Sequence, residues 1–162
     1  MFRSLPGEGQ DIFILPDGTR FAIIICWENL FAPFVRDLTH KGARLIVQLT
    51  NDNWFGLTSL PFHHTRASIF RAVENRIPVV VANNAGPSLI VDSQGRTVAG
   101  PTGLFKTGII VQEVKIRNGQ SFYTRVGDLF ALLAIFFLVL VWCYLIGAKK
   151  ANQHHHKRGL DY

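Results

Sequence analysis

Twenty consecutive residues, Leu129 to Ala148, carry no charge, and no other feature limits this chain so strongly. At about 1.5 Å of rise per residue, a helix of that length spans roughly 30 Å, the thickness of a bilayer's hydrocarbon core. Each Leu, Ile, Phe and Val in it favours insertion by about 0.3–0.6 kcal/mol at the helix centre. A core helix in a small globular domain keeps a polar stripe for solvent, and this run has none. The sequence therefore predicts a transmembrane helix over 125–148, with whatever precedes it held at a membrane surface.

Lys149 and Lys150 end the run at once, and His154, His155, His156, Lys157 and Arg158 follow. By the positive-inside rule this basic tail, 149–162, lies in the cytoplasm, which puts residues 1–124 on the outer face as a single modest domain. The formal charge of +6 does not point to nucleic acid, because the basic residues are scattered and much of the excess sits beside the apolar run. Anionic phospholipid headgroups are the simpler partner. Cys26 and Cys143 fall on opposite sides of the predicted membrane boundary, which leaves no disulfide framework. No metal site is expected, since the adjacent His63 and His64 lack the spacing of a zinc ligand pair, and no cofactor is expected either.

Upstream, Met1–Gln10 has Pro, two glycines and no periodicity, and reads as loop. Arg20–Ile25 has a continuous apolar core, Phe21–Ile25, the pattern of a strand buried on both faces. Phe31, Phe34, Val35 and Leu38 then recur at helical spacing, with Gly42 placed to stop the helix. Leu45–Leu49 is a second buried strand, Thr50–Ser59 a polar and aromatic loop, Phe62–Asn75 a helix and Pro78–Ala82 a third strand. Ser88–Val91 and Arg96–Ala99 flank a turn at Asp92-Ser93-Gln94-Gly95. Gly108–Val114 reads as a last strand, and Ile116–Asp128 as a connector. Strands alternating with helices make an α/β layered domain, with functional groups expected at strand ends.

Cys26 stands at such an end, in Ile25-Cys26-Trp27-Glu28-Asn29. A strand-to-helix turn exposes a side chain, and the N–H groups of a helix start lower a thiol's pKa from about 8.5 and bind an oxyanion. A lone cysteine at the end of a strand is also a common buried packing residue. On spacing alone both readings stand.

Five stretches stand out: Ile25-Cys26-Trp27-Glu28, Gly42-Ala43, Thr50-Asn51-Asp52-Asn53-Trp54-Phe55-Gly56 with His64, Arg71-Ala72-Val73-Glu74-Asn75-Arg76-Ile77-Pro78, and Asn83-Asn84-Ala85-Gly86. Together they resemble the nitrilase, or carbon–nitrogen hydrolase, superfamily, and within it the membrane-bound apolipoprotein N-acyltransferases of bacteria. The nucleophile, the Arg-Ala-x-Glu stretch and the Asn-x-Gly turn belong to the whole superfamily. The Asn-Asp-x-Trp-Phe-Gly loop and the C-terminal apolar helix select the acyltransferase branch.

The resemblance implies a four-layer αββα sandwich on the outer face of the inner membrane, of which this chain holds the C-terminal portion. It implies a Glu–Lys–Cys triad and a two-step acyl transfer. Cys26 would take a fatty acyl group from a phospholipid as a thioester and pass it to the N-terminal amine of a diacylglyceryl-cysteine lipoprotein. Only Cys26 of the triad is matched: Glu8 sits in a Gly-rich loop, no lysine precedes Lys41, and the family's N-terminal membrane helices have no counterpart here. Little or no transfer is expected of this chain alone.

Glu28 matches a family position beside the nucleophile, as a supporting carboxylate or simply as a first-turn acid favouring the helix dipole. Trp27 stands where a tyrosine is expected. Trp27, Asn51, Trp54 and Phe55 are candidates for the substrate entrance, the alternative being a packed loop. His64 is expected to hydrogen-bond within the domain, Arg71 and Glu74 to form a structural ion pair, and Asn83 and Asn84 to satisfy backbone near the site. Two other readings are a membrane-tethered amidase or nitrilase, in which water attacks the thioester, and an inactive relic.

Overall fold

The computed structural model describes residues 11–158; Met1–Gln10, with Glu8, and residues 159–162 lie outside the described residues. The first unit, through Gly127, is built on one six-stranded sheet whose strands lie side by side in chain order. They are β1 (Phe13–Ile14), β2 (Arg20–Ile25), β3 (Leu45–Asn51), β4 (Val79–Asn84), β5 (Leu89–Val91) and β6 (Thr97–Ala99). The three central strands, β2, β3 and β4, run parallel, and the outer strands pair antiparallel. Parallel neighbours need a crossover, which α1 (Ala32–His40) and α2 (Leu60–Asn75) supply.

The central strands alternate their burial, and this decides where the core sits. Ala22 and Ile24 of β2, Ile46 of β3, and Val79 and Val81 of β4 are almost fully buried and cluster with Val35, Leu38 and Ala72 of the helices. The residues between them point to the other face. Ile25 is 54% exposed and Leu49 41%, and Ile23, Val47 and Val80 are half-buried. Sequence reading took these strands as buried on both faces; among the described residues helices cover one face only. Ile24→Ala is accordingly expected to cost about 2–5 kcal/mol and Ile25→Ala less than about 1 kcal/mol, measured by denaturant unfolding of the full chain in detergent. Equal losses at the two positions would mean that both faces are packed.

Other local expectations are refined. The short β1 was not foreseen, because two residues carry no periodicity. Gly42 follows the end of α1 with φ 110°, a backbone conformation that L side chains rarely adopt and that glycine reaches without strain. The hairpin turn is held by Asp92, whose Oδ1 accepts from the N–H groups of Gln94 and Arg96 while Oδ2 meets Arg96 Nε at 2.7 Å. Burial pushes the Asp92 carboxyl upward, but these donors outweigh it and the net shift is downward. The turn's contribution is therefore present above the unfolded carboxyl's pKa and lost as pH falls through the lower folded value.

Gly108–Val114 is not a strand. The ladder ends at β6, where Gly100, at φ 83°, and Pro101, which has no N–H to donate, turn the chain off the sheet edge. Ile109 and Val111 are then 92% and 88% exposed. The expected connector contains a short helix, α3 (Phe122–Val126), capped by Ser121 Oγ accepting from the Thr124 N–H.

The second unit begins at Asp128 and contains α4 (Leu129–Arg158). Residues 129–146 have a mean hydropathy of 2.9 and are long and apolar enough to cross a membrane. Apolar side chains are exposed all round it, among them Phe130, Leu133, Phe136, Phe137 and Leu140, unlike a core helix with one buried face. Helical backbone continues through 149–158, where the sequence reads as a separate tail.

Candidate active site

The C-terminal ends of β2, β3 and β4 lie level, since Ile25 pairs with Leu49, and Thr50 and Asn51 with Asn83 and Asn84. Parallel strands deliver their functional side chains at this edge. Cys26 is the first residue beyond β2 and is half-buried. It opens a 3₁₀ turn, Cys26–Leu30, that leads into α1, the helix expected from the Phe31, Phe34, Val35 and Leu38 spacing. Its φ is 51°, the left-handed region, which costs a non-glycine residue about 1–2 kcal/mol. Strain of this kind persists where surrounding contacts impose it, and functional turns are its usual place. Cys26→Gly is expected to be about 1 kcal/mol more stable than Cys26→Ala, and equal unfolding midpoints would remove the strain from the account.

The contacts that impose it converge on the Cys26 carbonyl, which accepts from His64 Nε2 at 3.1 Å and from Gln48 Nε2 at 3.3 Å. A carbonyl only accepts, so Nε2 carries a hydrogen. The other ring nitrogen, Nδ1, lies 2.8 Å from Asp52 Oδ1, with the two side chains 2% and 0% exposed. Asp52 also receives Asn83 Nδ2 at 2.6 Å and Thr50 Oγ1 at 3.3 Å. Behind this pair, buried Asn29 donates to the His64 carbonyl at 2.8 Å, Ser68 Oγ at 3.2 Å and Gln48 Oε1 at 3.3 Å, and Ser68 Oγ also donates to Gln48 Oε1. Each polar group removed from water here finds a partner, apart from Asn29 Oδ1.

An aromatic shelf roofs the network. The Trp27 ring stacks on the His64 imidazole with centroids 5.0 Å apart, and Phe55 meets Trp27 edge-on at 5.8 Å. Trp27 remains 46% exposed. A polar cavity of about 490 Å³ opens among Asn53, Asn83, Asn84, Ser88, Phe105 and Lys106, and Asn83 links its wall to Asp52.

The geometry sorts the residues named from sequence. Cys26, Trp27, Phe55 and His64 come together at the strand ends. Glu28 caps its own turn, its Oε2 accepting the Ile25 N–H at 2.6 Å, which orders the backbone on either side of Cys26. Asn51 Oδ1 accepts from the Asn53 N–H and from Asn84 Nδ2, so it shapes its loop. Trp54 is 81% exposed and has no ring contact among the described residues. Arg71 and Glu74 pair at 2.9 Å, and Asn83 Oδ1 accepts the Gly86 N–H. Sequence reading did not select Asp52, Gln48 or Asn29 as site residues. Gln48 offered a signal, since a lone amide inside an apolar strand must find a buried partner.

The sequence signature of the carbon-nitrogen hydrolase family matches residues 1–123. The apolipoprotein N-acyltransferase of Geobacter metallireducens is 44% identical over 124 residues, covering 76% of this chain and 24% of that protein. That of Chlamydia trachomatis is 32% identical over 152 residues, covering 91% of this chain and 27% of the relative, a span that takes in the apolar helix. The chain thus spans about a quarter of the length of the curated relatives it matches. Among solved structures, Saccharomyces cerevisiae Nit3, a member of branch 10 of the nitrilase superfamily, superposes with a TM-score of 0.50 at 23% identity, covering 62% of this chain and 39% of Nit3; the shared feature is the fold. On the signature that spans three-quarters of its length, the chain belongs to the carbon-nitrogen hydrolase family.

Proposed function

We propose that this chain is the nucleophile-bearing, membrane-anchored portion of an apolipoprotein N-acyltransferase. The observation that carries the reading is the turn at Cys26: a half-buried thiol at a strand end, in a left-handed conformation held by His64 and Gln48 on its carbonyl. Cys26 attacks the ester carbonyl of a phospholipid acyl chain, forming the thioester and releasing a lysophospholipid. The amine of a diacylglyceryl-cysteine then attacks the thioester, the amide forms and the thiol returns. Trp27 and Phe55 line the approach, and Trp54 sits at its exposed edge. The Glu and Lys of the triad implied by the family lie upstream of the nucleophile, so the described residues alone lack the base that makes the thiolate.

The open face of the sheet fits the four-layer αββα arrangement, in which a second sheet covers Ile25, Leu49 and their neighbours. The reading places α4 across the inner membrane with the first unit outside and the basic end in the cytoplasm, and makes phospholipid and lipoprotein the partners.

The test is a chimera in which this chain replaces the matching C-terminal quarter of the Geobacter metallireducens relative, incubated with phospholipid and a diacylglyceryl lipopeptide. Acylation of the lipopeptide amine is expected. Release of free fatty acid without amide would favour the hydrolytic reading, and absence of both products would favour the relic.

A further inference from the structure

At the edge of the sheet away from Cys26, beyond the C-terminus of α2, a cavity of about 470 Å³ is lined by Arg76, Arg117, Arg125, Asn118, Gln120 and their neighbours. No carboxylate lines it among the described residues, and none of the three guanidinium groups has an ion pair or hydrogen-bond partner there. Three unneutralised charges around one hollow repel one another, and exposed arginines normally disperse or find an acid.

The hollow is nevertheless held in shape. Arg44 Nη1 donates to the Gly119 carbonyl at 3.3 Å, Gln120 Nε2 to the His40 carbonyl at 3.1 Å, and Ser121 Oγ to the Glu74 carbonyl. Arg36 donates to the carbonyls of Tyr123 and Arg125, each at 3.1 Å. Arg76 itself has φ 57° at the end of α2, a position that glycine or asparagine fills without strain. The floor is thus preorganised while the charged groups are left free.

We propose that Arg76, Arg117 and Arg125 bind the phosphate of an anionic phospholipid headgroup. Guanidinium groups match phosphate oxygens in paired hydrogen bonds and give up hydration more readily than ammonium groups. A lipid rather than free phosphate is the occupant because Arg125 precedes the first residue of the apolar helix, Leu129, by four positions. Basic residues so close to a membrane span act on the headgroup layer, each contributing attraction that falls off within about a Debye length. The proposal rests on α4 being a membrane span and is independent of acyl transfer.

The full chain is placed in nanodiscs of phosphatidylcholine containing a minority of phosphatidylglycerol, and lipids retained after mild detergent extraction are counted by native mass spectrometry. Wild type is expected to retain phosphatidylglycerol over phosphatidylcholine by about tenfold or more. The combined Arg76→Gln, Arg117→Gln, Arg125→Gln variant is expected to fall to near parity, while Lys149→Gln with Lys150→Gln keeps the preference. Loss in the lysine variant but not the arginine variant would overturn the proposal, as would full displacement by inorganic phosphate, which would make the site one for the free ion. A chain that an alkaline wash strips from nanodiscs would refute the membrane span and the proposal with it; a chain that stays inserted but shows no headgroup preference refutes the arginine site alone.

Discussion

Asp52→Ala is expected to weaken the strand ends around Cys26 by about 3–5 kcal/mol, the range for removing one member of a buried, hydrogen-bonded pair. The size follows from how many groups lose their partner at once. His64 Nδ1, Asn83 Nδ2 and Thr50 Oγ1 all address the Asp52 carboxylate, and Asp52 and His64 are almost wholly shielded from water. Each orphaned buried donor costs about 1–3 kcal/mol. Because His64 also donates to the Cys26 carbonyl, the loss reaches the Cys26 turn. Hydrogen exchange on the amides of Gln48–Asn51, in the full chain, measures the local opening free energy. Alkylation of Cys26 by iodoacetamide, in a Cys143→Ser background, reports the turn itself and is expected to change in Asp52→Ala and to return toward wild type in Asp52→Asn. Exchange within about 0.5 kcal/mol of wild type would show that the Asp52–His64 pair does not support the site.

The second large effect is chemical. In the chimera, Cys26→Ala is expected to reduce acyl transfer on the order of 10⁴-fold or more, the scale seen when a covalent nucleophile is removed. Folding is not expected to suffer, since alanine has a similar backbone preference and the Cys26 carbonyl still accepts from His64 and Gln48. Retained hydrogen exchange protection at β3 together with lost transfer separates chemistry from stability. A Cys26→Ala chimera within tenfold of the parent rate would remove Cys26 from the mechanism.

How much of this was legible in the sequence depends on the range of the contact. Continuous apolar runs located β2, β3 and β4 because a strand's burial is written in neighbouring residues. The alternation that leaves Ile25 and Leu49 on an open face was invisible, since both faces of these strands are apolar and only the packing tells them apart. Gly108–Val114 misled for the opposite reason: the pattern suits a strand, but pairing requires an edge, and Pro101 takes the chain away from it. At the site, the turn that follows β2 was visible because it is a local event, but its spacing left Cys26 open as a packing residue, and only the family resemblance selected it as a candidate nucleophile. The Asp52–His64 pair was not visible, because twelve residues of loop and helix separate its members and only the fold of the Asn51–Gly56 loop under α2 joins them. Glu28 illustrates the middle case, a residue expected beside Cys26 as a supporting carboxylate whose Oε2 accepts the Ile25 N–H of the turn.

The most direct test is the mass of the Cys26 peptide from the chimera after incubation with phospholipid and no acceptor. The account predicts one fatty acyl group on Cys26, removed by neutral hydroxylamine as a thioester is and discharged when the lipopeptide is added. An unmodified Cys26 under conditions that support transfer, or an acyl group carried on another residue, would contradict it.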